Sequence, residues 1–129
     1  MLNRRTILAA TALLAFAPLQ AAFASETEFT MDAFKAAQKD GKSVLVDVWA
    51  SWCPTCKAQG PILKSVLAKP QNKDVVLMRV NFDTQLDVLK SFKVQSQSTL
   101  IMFKGSQEVA RSVGDTDAAS IGKLVGGGV

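Results

Sequence analysis

The segment Trp52-Cys53-Pro54-Thr55-Cys56 constrains this chain more than any other. It holds both cysteines of the sequence and follows an apolar run, Val44-Leu45-Val46-Asp47-Val48-Trp49-Ala50, that reads as a strand buried on both faces. Two thiols separated by two residues, where a strand gives way to a helix, can close a small disulfide ring and pass two electrons to a partner by exchange. The helix start supplies the electrostatics, because its unpaired N–H groups and macrodipole favour a thiolate. Two other readings of such a pair compete. A zinc site draws on more ligands than these, and the chain has two cysteines and no histidine. A purely structural bridge across so short a loop would stabilise a fold little. The redox reading is the one the residues favour.

The chain has 129 residues, and the first 24 read as an export signal. Met1-Leu2-Asn3-Arg4-Arg5 is short and basic, and Thr6 to Phe16 is apolar. Ala22-Phe23-Ala24 then puts small residues at the two positions a signal peptidase inspects. Cleavage is expected before Ser25, with residues 1–24 the signal peptide and 25–129 a single domain. An uncleaved membrane anchor is the alternative, since Thr6 to Ala24 nearly reaches the length of a bilayer span. Pro18, Gln20 and the cleavage pattern argue against it. Arg4-Arg5 also fits the twin-arginine route, although Asn3, Thr6, Ile7 and Leu8 match that signal only in part. Either route leads to the periplasm, where disulfides persist.

The remaining 105 residues suffice for one compact domain and not for two. Without Arg4 and Arg5 they carry 13 basic and 11 acidic side chains, a net charge of +2. The lysines are dispersed, and no basic cluster interleaved with aromatics marks a nucleic-acid surface. No nucleotide, flavin or metal-ligand motif occurs, so no cofactor and no metal are expected, and the protein is expected to be a monomer.

Ser25 to Phe29 reads as a polar lead-in. Thr30 predicts an N-cap for an amphipathic helix over Met31 to Lys39, with Met31, Phe34 and Ala37 or Gln38 on successive turns, ended by Gly41 in a left-handed position. After the strand from Val44 to Ala50, a helix is predicted from Cys53 to about Ala68, kinked at Pro61. A loop follows over Lys69-Pro70-Gln71-Asn72, then a strand from Val75 to Phe82 and a short helix, capped by Asp83 or Thr84, to about Phe92. Thr99 to Phe103 is a third strand, joined by a turn at Lys104-Gly105-Ser106-Gln107 to an antiparallel edge strand, Glu108 to Val113. Asp115 or Thr116 is expected to cap a last helix, and Gly126-Gly127-Gly128 to fray. This order makes one α/β domain with a mixed sheet.

With these motifs in sequence, the stretch from Met31 to Val125 resembles the thioredoxin family. Val44 to Cys56 is similar to the family's central strand and active-site motif, and Pro61-Ile62-Leu63 to the place where its active-site helix kinks. Val80-Asn81-Phe82-Asp83, Phe103-Lys104-Gly105 and Val113-Gly114 resemble its next strand exit, terminal hairpin and last strand. The resemblance implies a thioredoxin-like fold, a mixed central sheet flanked by helices, and a protein-disulfide oxidoreductase. Pro54-Thr55 between the cysteines is also found in periplasmic thioredoxin-like reductases of cytochrome c maturation, and Gly41 to Asp47 is similar to the soluble C-terminal domain of a transmembrane disulfide reductase. Those likenesses imply a reductase whose substrates are protein disulfides and whose electrons come from a membrane thiol–disulfide reductase. A disulfide-donating oxidase and a metal- or cluster-binding module remain the alternatives.

Cys53 is the expected nucleophile, its pKa drawn from ~8.5 toward ~7 by the helix start. Cys56, one turn further in, is expected to be the more buried, resolving thiol. Asp47 is costly to bury in its apolar strand and is expected to have a raised pKa. By the resemblance it lies beneath the disulfide and moves the proton of Cys56, while Arg79 stands where the family has a lysine that pairs with this acid. Trp52 is expected as an exposed lip for partners, with Pro54 and Thr55 beside it, Trp49 as core or wall, and Lys57 in solvent. The same alignment puts Ser98 at the family's cis-proline position, before Thr99, and implies a backbone dock for a substrate strand at these two residues. A cis bond before a non-proline costs roughly 2.5–4 kcal/mol, so a trans Gln97–Ser98 bond with an altered loop is expected over a strained cis one.

Overall fold

The computed structural model describes residues 24–129, so the expected signal peptide lies outside the described residues except for Ala24. Five strands form one sheet: β1 (Ser25–Glu28), β2 (Ser43–Trp49), β3 (Val76–Asn81), β4 (Thr99–Lys104) and β5 (Gln107–Val113). Four helices accompany them: α1 (Met31–Lys39), α2 (Pro54–Leu67), α3 (Leu86–Ser91) and α4 (Ala118–Gly126). The strand order is β1-β3-β2-β4-β5, parallel across β1, β3 and β2 and antiparallel from β2 through β4 to β5. The mixed α/β sheet with flanking helices is thus as the sequence predicts.

Alternation along the strands sorts the core into two halves, because successive side chains in a strand point to opposite faces. Val44, Val46 and Val48 of β2 pack with Met78, Val80, Ile101 and Phe103 against the α1 and α3 side. There Phe29, Phe34, Phe92 and Phe103 form a cluster with ring centroids 5.0–5.6 Å apart. Leu45, Leu77, Leu100 and Met102 face the other way, onto Leu63, Val66 and Leu67 of α2 and Ile121, Leu124 and Val125 of α4. Asp47 has the parity of Leu45 and lies opposite Arg79 of β3 in the register, so both belong to the α2 face.

Thr30 caps α1, its Oγ1 accepting from the Ala33 N–H at 3.1 Å, and Gly41 has φ +69° as its left-handed role requires. Several sequence expectations need correction. The lead-in is a strand: Ser25–Glu28 pairs in parallel with Val76–Arg79, and all four of its residues are exposed. Its polar sequence gave no alternation to read, since an edge strand can satisfy the ladder with backbone alone. Pro70–Asn72 is one turn of 3₁₀ helix rather than plain loop. The N-cap of α3 is Gln85, not Asp83 or Thr84. Asp83 is drawn away, its carboxylate accepting from Trp52 Nε1 at 2.9 Å and its N–H donating to Asn81 Oδ1. The cap of α4 is Asp117, which accepts from the Ser120 N–H at 2.7 Å, not Asp115 or Thr116. Nor does the terminal glycine run fray. Gly128 is buried, its carbonyl accepts a bond from Ser43 Oγ, and it lies against Met102.

Candidate active site

The site grows from the passage of β2 into α2. Beyond Trp49 the chain turns through exposed Ser51 and Trp52, and Cys53 takes the N-cap position of α2 with extended backbone, φ −86° and ψ 110°. Pro54 then occupies the first helical turn, where the missing N–H costs nothing and the fixed φ suits the helix. Cys53 Sγ is the capping atom itself, accepting from the Cys56 N–H at 3.1 Å. Cys53 and Cys56 are joined by a disulfide, with Cα atoms 5.3 Å apart. A sulfur that accepts a helix N-terminal N–H is one on which negative charge is stabilised when the bridge opens.

The expected order of burial is reversed: Cys53 is 1% exposed and Cys56 8%. In this disulfide form the sulfur of Cys53 turns inward to cap the helix and to touch Ser98, among Ala50, Trp49 and Phe82. Trp52 is the exposed lip, 54% accessible, and Pro54 is exposed with Thr55 half-buried beside it. Lys57 lies in solvent, and Trp49 forms a wall over which the Arg79 guanidinium stacks 4.4 Å from the ring centroid.

Ser98 closes the site from the opposite side. No cis peptide bond occurs among the described residues, so Gln97–Ser98 is trans, and Ser98 takes a left-handed φ of +62°. The turn brings its side chain inward: Ser98 Oγ lies 3.1 Å from Cys53 Sγ and 3.1 Å from Cys56 Sγ. Its backbone is spent within the fold. The N–H donates to Val48 O at 2.7 Å, and the carbonyl accepts from Gly114 N at 2.9 Å and Gln59 Nε2 at 3.3 Å. Thr99 is buried in β4, between Val48 of β2 and Val113 of β5, with its hydroxyl donating to Ser96 O. Neither residue therefore presents the free backbone that a docking peptide needs, and the expected dock at Ser98 and Thr99 has to be corrected. Ser98 stands inside the site and offers it a side chain, whereas the Thr99 hydroxyl is spent on Ser96 O.

Asp47 is 4% exposed. Burial pushes its carboxyl above the ordinary value of 3.8, while the charge and hydrogen bond of Arg79 pull it back without cancelling that effect, and Glu26 adds to the rise. Arg79 Nε reaches Asp47 Oδ2 at 3.2 Å, and its Nη1 lies 3.8 Å from Glu26 Oε1. A cleft of about 560 Å³, lined among others by Asp47, Gly60, Leu63, Lys64 and Arg79, opens beside the acid. A buried carboxyl whose pKa is raised, on the α2 face and beside a cleft, is suited to exchanging a proton with solvent.

Gln59 escaped the sequence reading. It is 1% exposed, and its Nε2 donates to the carbonyls of both Asp115 and Ser98, at 2.8 and 3.3 Å. A signal was there to find: Cys56, Gln59, Leu63, Val66 and Leu67 form the buried stripe of α2, so a helical-period reading places this amide inside.

A closed disulfide at a helix start, a buried acid on the same face and an aromatic lip define a thiol–disulfide oxidoreductase. The Thioredoxin family profile matches residues 25–126. The chain is 39% identical over 80 residues to a thioredoxin of Mycobacterium bovis, covering 62% of this chain and 68% of that protein. It is 36% identical over 80 residues to a bifunctional thioredoxin reductase/thioredoxin of Mycobacterium leprae, spanning 62% of this chain and 17% of that longer protein. Among solved structures it is similar to Trxlp from Edwardsiella tarda EIB202, with 42% identity, a TM-score of 0.76, and coverage of 78% of this chain and 98% of the other. The chain belongs to the thioredoxin family, and its activity is thiol–disulfide oxidoreduction of the thioredoxin type.

Proposed function

We propose that this protein works in the periplasm as a reductase of disulfides in other exported proteins, and that a membrane thiol–disulfide reductase returns its electrons. The observation that supports this reading is a basic, apolar and small-residue N-terminus ahead of a Cys53–Cys56 disulfide at a helix start. Pro54-Thr55 between the cysteines supports the direction of flow, by its likeness to periplasmic reductases.

In the cycle, the Cys53 thiolate attacks one sulfur of a partner disulfide. The partner's S–S bond breaks, a mixed disulfide forms, and the other partner sulfur leaves as a thiolate. Cys56 then attacks Cys53 Sγ, which re-forms the internal disulfide and releases the second partner thiolate. Two electrons pass from the dithiol to the partner, and two protons follow to its thiols. Asp47 takes up the proton that Cys56 gives and yields it to water through the neighbouring cleft. Trp52, exposed at the rim, meets the partner's apolar surface. A dithiol on the membrane reductase restores the starting state by the same exchange in reverse.

Equilibration of the purified protein with a glutathione redox buffer tests the direction, and fractionation of cells tests the compartment. A potential close to the ~−270 mV of thioredoxins supports a reductase, whereas one close to ~−120 mV makes the protein an oxidant. Retention of the full-length chain in the cytoplasm would overturn the proposed location.

A further inference from the structure

Ser98 stands in a conformation that a serine rarely adopts. At φ +62° it is one of two non-glycine residues with positive φ among the described residues. Such strain persists where surrounding bonds over-determine it, and here three do: Ser98 N–H to Val48 O, and Gly114 N–H and Gln59 Nε2 to Ser98 O. What the strained backbone achieves is the placement of one hydroxyl, buried with its residue at 3% exposure, at 3.1 Å from each of the two sulfurs.

We propose that the Ser98 hydroxyl is a catalytic hydrogen-bond donor, which turns toward whichever of the two sulfurs carries negative charge during exchange. A hydroxyl has one proton and cannot serve both sulfurs at once, but rotation about its Cβ–Oγ bond redirects it between two acceptors at equal distance. When Cys53 attacks, the donor stabilises the Cys53 thiolate before the new S–S bond forms. When an incoming thiolate attacks Cys53 to open the internal bridge, the electron pair leaves on Cys56, and the same donor serves that sulfur. Ser98 keeps its proton throughout; the net proton passes by Asp47 and water. Hydrogen bonds to a charged partner are stronger than those to neutral sulfur, so the donor favours the reduced, ionised pair over the disulfide. Gln59 is a positioning residue, whose amide fixes the Ser98 carbonyl and hence the direction of the hydroxyl.

The inference rests on the disulfide cycle and not on the direction of flow or the compartment, so its failure would leave the reductase reading intact. The test is the pH titration of thiolate absorbance in the reduced protein, alongside Ser98→Gly and Ser98→Ala. Glycine adopts positive φ freely and removes the hydroxyl without strain, while alanine removes the hydroxyl alone. In both, the midpoint of thiolate formation should rise by about one pH unit, leaving about tenfold less thiolate below it. Above that midpoint the dithiol–disulfide constant should shift tenfold toward the disulfide, about 30 mV lower in potential. Gln59→Leu, with the hydroxyl retained and released, should shift the midpoint upward by part of that amount. Cooperative unfolding of each variant establishes that it is folded. Folded Ser98→Gly and Ser98→Ala proteins that titrate on the parent curve would overturn the proposal and reduce the serine to a packing group.

Discussion

Asp47 makes the stability of this protein depend on pH in a direction opposite to most carboxylates. Its folded pKa lies above the ordinary value of 3.8 because burial outweighs Arg79. Between pH 3.8 and the higher folded pKa, the unfolded chain therefore gives up the proton while the folded protein keeps it. Stability is fully present below that pH and is lost as pH rises to the folded pKa, with a limiting slope of about 1.4 kcal/mol per pH unit. Asp47→Asn retains the shape and an acceptor oxygen for Arg79 but cannot ionise. Subtracting the parent from the variant cancels the other titrating groups and isolates this one. The difference should be flat below the ordinary carboxylate range. It should climb in favour of the variant at up to about 1.4 kcal/mol per pH unit, then level off where the folded acid ionises. Urea unfolding of the disulfide form across a pH series, with equal m-values for the two proteins, measures it. Arg79→Met in the parent background removes the two influences that lower the pKa, and should move the plateau to higher pH. A difference that stays level across the series would mean that Arg79 cancels burial, and one in which the parent gains as pH rises would mean that Arg79 wins over it; either refutes the reasoning.

Cys56→Ser should accumulate mixed disulfides between Cys53 and partner proteins in cell extracts, and Cys53→Ser should not; non-reducing gels followed by identification of the captured chains read both. Accumulation in Cys53→Ser instead would exchange the roles of the two sulfurs. Gly128→Ala places a Cβ 2.5 Å from Cε and 2.6 Å from Cγ of the fully buried Met102, and should cost about 1–3 kcal/mol in urea unfolding. Gly122→Ala, in α4 with no atom within 4 Å of the new carbon, should instead gain about 0.5–1 kcal/mol.

What could be read from the residues followed the strength of their patterns. The apolar run from Val44 to Ala50 and the cysteine pair located the central strand and the helix start, because burial on both faces and a two-residue spacing leave few other arrangements. Asp47 was legible as a lone acid in that run, and its pairing with Arg79 required the resemblance to a family before geometry supplied the 3.2 Å contact. Ser25–Glu28 was not legible, since a polar edge strand carries no hydrophobic signature. The caps of α3 and α4 were misplaced by two residues or fewer because Asp83 and Asp115 bind elsewhere, to Trp52 and to Ser120 and the Asp117 N–H. Ser98 shows the sharpest limit. Alignment gave its position but not its backbone hand, and that hand decides whether it offers a peptide dock or a hydroxyl to sulfur.

The division of the core into an aromatic half and a half that houses the electron chemistry has an evolutionary corollary. Phe29, Phe34, Phe92 and Phe103 lie across the sheet from α2 and its stripe of Cys56 and Gln59. Repacking the phenylalanine quartet while leaving Phe82, which packs on both the aromatic cluster and the cysteines, could therefore retune melting temperature while the sulfur couple kept its electrical setting. Heat tolerance and reducing power can drift along separate axes in descendants of this chain.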